Sequence, residues 1–403
     1  MKKATFGIFL AVFLVLPVFA EKLVPFVMPT AASNGFGGPH VAYTDNVYAL
    51  FVNSAAMLRV EERSFFTLAP SLFNPQKTVN FFRAISIREL MNGDLSNTGE
   101  ILDNLGVTDG RIGFGAELRE FPLSIAWVAN GFGFGIWNRF YLYLNVLDLN
   151  FEVQTYMDAM IPIGFAFKIL NLENHSVDAG ITIKPFVRTM IHESESITSL
   201  IGSSDLLEDF SIPVIAGGTF DLGFLYRWKY GLQLGLTFND IYSRAIVLYG
   251  NDNNYYIPFN MNMGLSYNLK VLFLGITVAA DWRNIGSADL RDPGTYFRRE
   301  DYLRRSFLLD LGVGLQATLF DFVYARVGVN EMLPAAGVGV SLGAFKVDLA
   351  YYGKELGLQP GQLPVAVFDV SVSFRPDAKK RDWPWARRSL VGLITGDEYA
   401  ITK

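Results

Sequence analysis

Cysteine is absent from this sequence. A chain without cysteine has no disulfide bonds and no thiolate metal ligands, so its stability must come from side-chain packing or from a closed, hydrogen-bonded sheet. Histidine is scarce, because the chain has only His40, His175 and His192, which lie far apart in the sequence. This spacing favours neither a metal site nor a Ser-His-Asp hydrolase site. We therefore predict no metal, no cofactor and no catalytic residue.

Charged residues and long apolar runs are also in short supply. Charged side chains make up 18% of the chain, against about 25% in a typical soluble domain. The formal net charge of −5 argues against a nucleic-acid partner. Apolar residues reach 51% of the chain, yet no segment after residue 20 has the roughly 20 consecutive apolar residues of a membrane helix. Two classes remain, an outer-membrane β-barrel with apolar residues at alternate positions and a large soluble all-β protein.

The first residues have the layout of a secretory signal peptide. Lys2 and Lys3 precede an apolar run over residues 6–18, and a cleavage-type ending at Ala20 is followed by the acidic Glu21. The run is shorter than a membrane helix needs to be. We therefore predict a signal peptide over residues 1–20 and export of the remaining chain.

Most of the chain after residue 62 alternates between apolar and polar residues with the period of a β-strand. Clear examples are residues 231–239, 308–319 and 365–375. The polar positions carry Gly, Ser, Thr and Asn with isolated charges, whereas a water-facing sheet carries many Lys and Glu. This composition fits a crowded polar lumen whose outer, apolar face meets membrane lipid.

Long polar connections alternate with short turns along the chain. Outer-membrane barrels have this order, because their external loops are long and their periplasmic turns are short. After residue 177 the long connections are 191–211, 241–258, 285–305 and 354–363. We predict an all-β fold, a transmembrane outer-membrane β-barrel over residues 63–375. About 14 antiparallel strands are expected, with 16 as the alternative, because bacterial single-chain barrels have even strand numbers.

Residues 34–57 form a compact, glycine-rich stretch ahead of the strands. They neither alternate nor form a long helical stripe, and Gly35 opens a set of glycines that permit close backbone approach. One interpretation is a small folded plug that the following strands enclose. The other is an ordinary N-terminal loop and helix packed on a soluble domain. The barrel pattern of the later chain favours the plug, which we assign to residues 21–62.

The same stretch resembles the N-terminal hatch of the FadL-like outer-membrane transport barrels. In that superfamily a glycine-rich segment precedes an Asp, an Asn-Pro-Ala tripeptide and the first barrel strand. The residues at those places are Gly37, Gly38, Asp45, Asn53 and Ala55, whereas Ser54 stands where the family usually has proline. The resemblance implies a 14-stranded barrel, a hatch in the lumen and often uptake of long-chain fatty acids or other hydrophobic molecules. Secretion-associated barrels share this hatch.

Two sets of side chains are candidates for ligand binding. The apolar set would line a pocket for a hydrophobic tail, and it consists of Phe26, Phe36, Phe51 and Met57. The cationic set would guide an anionic head group along the lumen, and it consists of Lys184, Arg188 and Arg326. The alternative role of the apolar set is the core of the hatch. The alternative role of the cations is internal salt bridging with lumen carboxylates.

Residues 376–403 form a basic tail marked by Trp and Pro. As a periplasmic segment it would lie on the membrane surface or dock a partner protein. The last strand ends in Phe374, an aromatic position that barrels present to the insertion machinery. Together these features predict a passive outer-membrane transporter for small hydrophobic molecules. The alternatives are a barrel that docks secretion or assembly partners, and a general porin or surface antigen.

Overall fold

The computed structural model describes residues 21–23, 25–38, 40–84, 111–120, 124–147, 150–196, 213–249, 255–285 and 305–376. The predicted signal peptide over residues 1–20 and all but the first residue of the predicted tail lie outside these ranges. Much of the long connections predicted at 191–211 and 285–305 lies outside them too. Predictions about those segments stay predictions.

One sheet contains every strand of the described chain, and all but one of its pairings are antiparallel. The strand segments are β1 (Glu21–Lys22), β2 (Glu62–Ser64), β3 (Phe66–Phe73), β4 (Arg111–Arg119), β5 (Ile125–Ala129), β6 (Phe132–Leu147), β7 (Asn150–Met160), β8 (Ile163–Asn171), β9 (His175–Ser196), β10 (Val214–Trp228), β11 (Leu232–Asn239), β12 (Arg244–Tyr249), β13 (Tyr255–Tyr256), β14 (Asn260–Val271), β15 (Leu274–Ile285), β16 (Leu311–Leu319), β17 (Val323–Asn330), β18 (Leu333–Leu342), β19 (Phe345–Glu355) and β20 (Pro364–Phe374).

The sheet closes on itself because β20 pairs with β3, placing Phe374 opposite Phe66. Five wall strands consist of two segments each, namely β2 with β3, β4 with β5, β7 with β8, β11 with β12, and β13 with β14. Strand β1 adds only a short parallel pairing to β13. The ring therefore has 14 wall strands, as predicted, and the alternative of 16 is wrong.

The two faces of the wall differ as the alternation predicts. Val313, Val327 and Val338 point outward from neighbouring strands and are 50%, 53% and 55% exposed. Between such positions the inward-facing Gln316 and Arg326 are buried. A closed sheet with an apolar outer face and a polar interior is the architecture of an outer-membrane-type barrel.

Strand β16 begins slightly later than the alternation over 308–319 suggests. Residues Phe307–Asp310 form a 3₁₀ helix, and the strand starts at Leu311. The next two connections are short, with three residues between β16 and β17 and two between β17 and β18. Phe320 and Asp321 have φ of 52° and 62°, and Glu331 and Met332 have φ of 53° and 63°. Paired left-handed residues twist a hairpin in the same sense as its strands, which keeps these connections short.

Residues 25–38 and 40–60, called the luminal segment below, lie inside the ring. They contain a short helix over Ala31–Gly35, a second over Ala49–Val52 and a 3₁₀ helix over Ser54–Arg59. A capping box starts the first helix, since the Ser33 amide donates to Thr30 Oγ1 at 3.1 Å and the Thr30 amide donates to Ser33 Oγ at 2.8 Å. Among the described helices, none has the length and apolarity to cross a bilayer.

The remaining described helix, Pro75–Ala84, follows strand β3. Thr78 ties its first turns to the end of the wall, because its hydroxyl donates to the Phe73 carbonyl and the Gly115 amide donates to it at 3.2 Å. The helix therefore caps the long-loop end of β3 and β4.

Candidate functional site

Wall glycines form a belt beneath the luminal segment. Several are paired directly across neighbouring strands, where no side chain stands between the wall and the segment. The glycine belt consists of the cross-strand pairs Gly133–Gly164, Gly180–Gly223, Gly235–Gly264 and Gly314–Gly328, together with Gly312 and Gly337.

The belt lets the backbone of the luminal segment touch the backbone of the wall. A methyl group on Gly180 would lie 2.6 Å from the Ala55 amide nitrogen, and one on Gly235 would lie 2.6 Å from the Val41 carbonyl oxygen. One on Gly314 would collide with the Phe36 carbonyl. Only glycine accommodates approaches this close. This explains why glycine is so frequent on the polar face of the strands.

The predicted hatch glycines complete the contact from the other side. A methyl group on Gly35 would lie 2.8 Å from the Gly337 Cα atom. Gly37 and Gly38 have φ of 88° and 109°, a left-handed region that other residues rarely adopt. The structure places all three against strands β15 to β18.

His40 and Asp281 join the luminal segment to strand β15. Asp281 Oδ2 contacts His40 Nδ1, and Asp281 Oδ1 accepts from the Val41 amide at 2.9 Å. The other ring nitrogen of His40 lies 2.8 Å from the Phe36 carbonyl oxygen. Both side chains are buried. This wall carboxylate therefore holds two consecutive residues of the luminal segment.

Asn34 makes the corresponding connection to strand β20. Its Nδ2 donates to Asp369 Oδ2 at 2.6 Å and to the Tyr352 hydroxyl at 3.1 Å. Asp369 also pairs with Arg119 and accepts from Ser71 Oγ at 2.7 Å. Asp369 thus joins Asn34 of the luminal segment to Ser71 and Arg119 of the wall, and it anchors the segment to strand β20.

The predicted hatch residue Asn53 anchors the far end of the segment. Its Nδ2 donates to the Val41 carbonyl at 2.9 Å and the Phe224 carbonyl at 3.1 Å, while its Oδ1 accepts from the Ala55 amide at 3.1 Å. Ser54, where the resembling family has proline, shares a 2.8 Å hydrogen bond with Thr182 on strand β9.

Asp45 is exposed, and its neighbour Asn46 accepts the local hydrogen bond, from the Tyr48 amide at 3.0 Å. The turn at this point is therefore built on Asn46. Asp45 faces the short-turn end of the barrel.

The three predicted lumen cations point inward, and each is engaged in an ion pair. Lys184 Nζ lies 2.8 Å from Asp221 and 3.0 Å from Asp240. The other two pairs are Arg188 with Asp158 at 2.5 Å and Arg326 with Asp348 at 2.7 Å. These pairs match the salt-bridge interpretation, and the structure does not gather the three cations into one head-group site.

The four predicted apolar residues are divided between different surroundings. The Phe26 ring lies 4.7 Å from the Phe186 ring, and the Phe51 ring lies 5.0 Å from the Trp137 ring. Phe36 contacts His40, with ring centroids 4.5 Å apart. These four residues do not form a single pocket, because Phe26 and Phe51 line one cavity, Phe36 lines another and Met57 lines neither.

The outer chamber is a cavity of about 230 Å³ between the luminal segment and the long-loop end. Phe26, Met28, Phe51 and Leu309 contribute apolar surface to it. Six asparagines, which the sequence reasoning missed, supply much of its polar surface: Asn34, Asn239, Asn260, Asn262, Asn284 and Asn330. Five of them stand at or near the long-loop ends of wall strands. This repeated position of asparagine is the sequence feature that could have predicted the polar surface of the chamber.

Three of these asparagines form one hydrogen-bonded network with Asp310. Asn262 Nδ2 donates to Asn260 Oδ1 at 2.9 Å, and Asn262 Oδ1 accepts from the backbone N–H of Asn284 at 2.8 Å. Asn284 Nδ2 then donates to Asp310 Oδ1 at 2.9 Å. Burial raises the pKa of the Asp310 carboxyl, while the hydrogen bond from Asn284 and the charge of Arg305 oppose that shift. This network keeps the polar side of the chamber rigid.

Charges of the two signs balance around the outer chamber. Four cationic side chains and four acidic ones line it: Arg139, Arg283, Arg305 and Lys354, with Glu117, Asp240, Asp310 and Glu331. A lining with no net charge does not concentrate ions of either sign. The chamber therefore favours uncharged solutes over free ions.

The inner chamber is a cavity of about 120 Å³ on the short-turn side of the luminal segment. Phe36, Tyr43 and Tyr324 line it together with Arg326 and other cations. Burial raises the pKa of Tyr43 to about 12, with Asp45 adding to the shift. Met57 lines neither chamber and is buried against Gly164 of the glycine belt.

No protein-family model matches the sequence, and no curated protein matches it. Among solved structures, the chain is similar to a FadL homologue from Pseudomonas aeruginosa, with 12% identity, 88% of this chain and 99% of that chain covered, and a TM-score of 0.46. It is similar to the toluene transporter TodX from Pseudomonas putida, with 11% identity, 86% and 97% covered, and a TM-score of 0.48. The strand number and the closure of this barrel rest on the strand pairing within this chain and not on these similarities.

Proposed function

We propose that this protein is an outer-membrane channel through which small hydrophobic molecules pass into the cell, with residues 21–62 as its hatch. The observation that carries the proposal is the outer chamber. It lies between the luminal segment and the long-loop end, has apolar surface from Phe26, Met28 and Phe51, and its lining carries no net charge. A passive channel for uncharged or amphiphilic molecules needs these properties, and it needs no catalytic group.

The volume of the chamber sets the size of the molecule that it can enclose. A cavity of about 150 Å³ accepts benzene, whereas pockets for drug-sized ligands begin at about 300 Å³. At about 230 Å³ the outer chamber lies between these limits. We propose a compact molecule such as a substituted aromatic ring as the preferred solute. A long-chain fatty acid would place only part of its acyl chain in the chamber at one time.

The barrel wall supports the outer-membrane location. Its outer face presents aliphatic side chains to lipid, and its polar groups face a lumen that the luminal segment fills. An open ring of 14 strands would admit water, so a filled lumen favours a selective channel over a general porin. The partner-docking alternative depends on the tail, whose residues 377–403 lie outside the described residues.

Uptake measurements test this proposal. Labelled toluene and a labelled long-chain fatty acid are supplied to cells that express the full chain in a host without comparable channels. Asn262→Trp, which fills the outer chamber, should reduce toluene uptake about tenfold. Val313→Trp, on the lipid face, is the matched control and should leave uptake unchanged.

Three results would contradict the proposal. The first is uptake of both probes no higher than in cells without the protein. The second is equal uptake by the Asn262 and Val313 variants. The third is a large, steady ion conductance of the intact protein in planar bilayers, which indicates a general porin.

A further inference from the structure

The outer and inner chambers approach each other at two side chains. Among the residues that the structure describes, Met28 and Val52 are the ones that line both cavities. Both belong to the luminal segment. We call this pair the septum. We infer that solutes cross the hatch through its own interior, and that the septum is the gate that selects them by size. This inference rests on the proposed transport function.

The edge of the luminal segment is a poor alternative route. Its backbone lies directly on the glycine belt at Val41, at Phe36 and at the Ser54–Ala55 peptide. These contacts involve strands on several sides of the ring, including β9, β11 and β16. A solute passing between segment and wall would have to separate backbones already at contact distance.

Glu120, which follows β4, is bonded by two side chains inside the ring. The Tyr48 hydroxyl and the Trp137 indole N–H both donate to Glu120 Oε1, the latter at 3.1 Å. Phe51 packs edge-on against Trp137, which is buried. A solute that moved towards the wall near Glu120 would have to displace several buried side chains. A solute that crossed the septum would have to displace only two.

The backbone on either side of Met28 is held by the wall. Arg139 Nη1 donates to the Val27 carbonyl at 3.2 Å, and Arg119 Nη1 donates to the Pro29 carbonyl at 2.5 Å. Both arginines are fixed by carboxylates, Arg139 by Asp158 at 2.8 Å and Arg119 by Asp369. The main chain is therefore clamped, and the Met28 side chain is the part that can move.

Methionine suits such a gate. Its unbranched thioether has three rotatable bonds and adapts to irregular spaces. Val52, the last residue of the helix Ala49–Val52, presents a smaller and stiffer surface. A change of Met28 rotamer would join the chambers without breaking any of the hydrogen bonds that hold the segment. The septum thus permits passage while the hatch stays in the lumen.

Cysteine accessibility tests the route without depending on transport. The chain has no cysteine, so Met28→Cys and Val52→Cys each introduce a unique thiol. In a planar bilayer, a membrane-impermeant charged thiol reagent should modify each from either side.

Two further variants are the controls for this labelling. Val27→Cys, which lines the outer chamber alone, should react only from the long-loop side. Asp45→Cys, which lines the inner chamber but not the outer, should react only from the short-turn side. Septum thiols that react from one side only, or from neither, would overturn the inference.

Uptake rates provide the functional arm. Met28→Ala and Val52→Ala should each raise toluene uptake about threefold or more, and Met28→Trp should lower it by a similar factor. Val327→Ala is the control, because Val327 faces outward from the wall and lines neither chamber. A heat-induced gel shift confirms that each variant is folded. Unchanged uptake in folded septum variants would overturn the gate. If the wild-type protein takes up no probe while the thiols react as expected, the proposed function fails and the route stands.

Discussion

His40 Nδ1 contacts Asp281 Oδ2, and this buried pair ties the luminal segment to strand β15. Asp281 also accepts from the Val41 amide at 2.9 Å, so one wall carboxylate holds two consecutive residues of the segment. A wall side chain thereby fixes the segment next to the point where it crosses the glycine belt at Gly235 and Gly264.

Replacing His40 with Ala should loosen the segment. Asp281 would keep its buried position and lose one donor, and an unsatisfied buried group costs about 1–3 kcal/mol. We expect a lower temperature for the heat-induced gel shift and more frequent open events in planar bilayers. His175→Ala is the control, because His175 bonds Tyr226 at 2.7 Å near a short turn. Equal effects of the two variants would contradict the role of His40.

Adding a methyl group to the glycine belt should displace the luminal segment. In Gly314→Ala the new methyl would meet the Phe36 carbonyl, and overpacking of this kind costs about 1–3 kcal/mol. We expect reduced heat stability and increased conductance. Gly218→Ala is the control, because no atom lies within 4 Å of the position that its methyl would take. A Gly314 variant as stable and as closed as the Gly218 variant would show that the close contact is not needed.

Proline at Ser54 should be tolerated with a modest loss of stability. Ser54 opens the 3₁₀ helix Ser54–Arg59, and proline fits the first position of a helix. The substitution removes the 2.8 Å hydrogen bond to Thr182, which contributes about 0.5–1.5 kcal/mol. Ser54→Ala should show the same loss in urea or heat titrations. A much larger effect of proline than of alanine would indicate backbone strain.

Alkaline pH should weaken the luminal segment through Tyr43. Burial raises the pKa of Tyr43 to about 12, above the ordinary value of about 10. Because the folded state favours the neutral phenol, the associated stability is present below about pH 10 and is lost as pH rises towards 12. We expect Tyr43→Phe to show a smaller rise in conductance over this interval than the wild type. Identical pH profiles would exclude Tyr43 as the titrating group.

Phe374 should matter for insertion of the barrel. It pairs with Phe345 and with Phe66, at the seam where the ring closes. Phe374→Ser should lower the folded fraction in membranes severalfold. Phe368→Ser is the control, because it removes an aromatic side chain from the middle of the same strand and leaves the terminal aromatic in place. It therefore separates recognition by the insertion machinery from loss of strand packing. If both variants insert equally well or equally badly, the terminal aromatic is not a specific signal.

Much of this architecture follows from local sequence patterns. Period-2 alternation is a property of neighbouring residues, so it predicts the strands, their apolar outer face and the inward direction of Lys184, Arg188 and Arg326. The glycines of residues 34–57 and the resemblance to a known hatch likewise predict a plug ahead of the strands. None of these inferences requires knowing which strands are neighbours.

Only the tertiary structure determines which side chains contact each other across the barrel. Register and closure determine that Lys184 meets Asp221 and Asp240, and that Asp281 meets His40. They also bring glycines from many strands to one height, where the luminal backbone lies on them. The septum of Met28 and Val52 depends in the same way on how a non-repetitive segment folds inside the ring. Such contacts join residues far apart in sequence, and no local pattern encodes the distance between them.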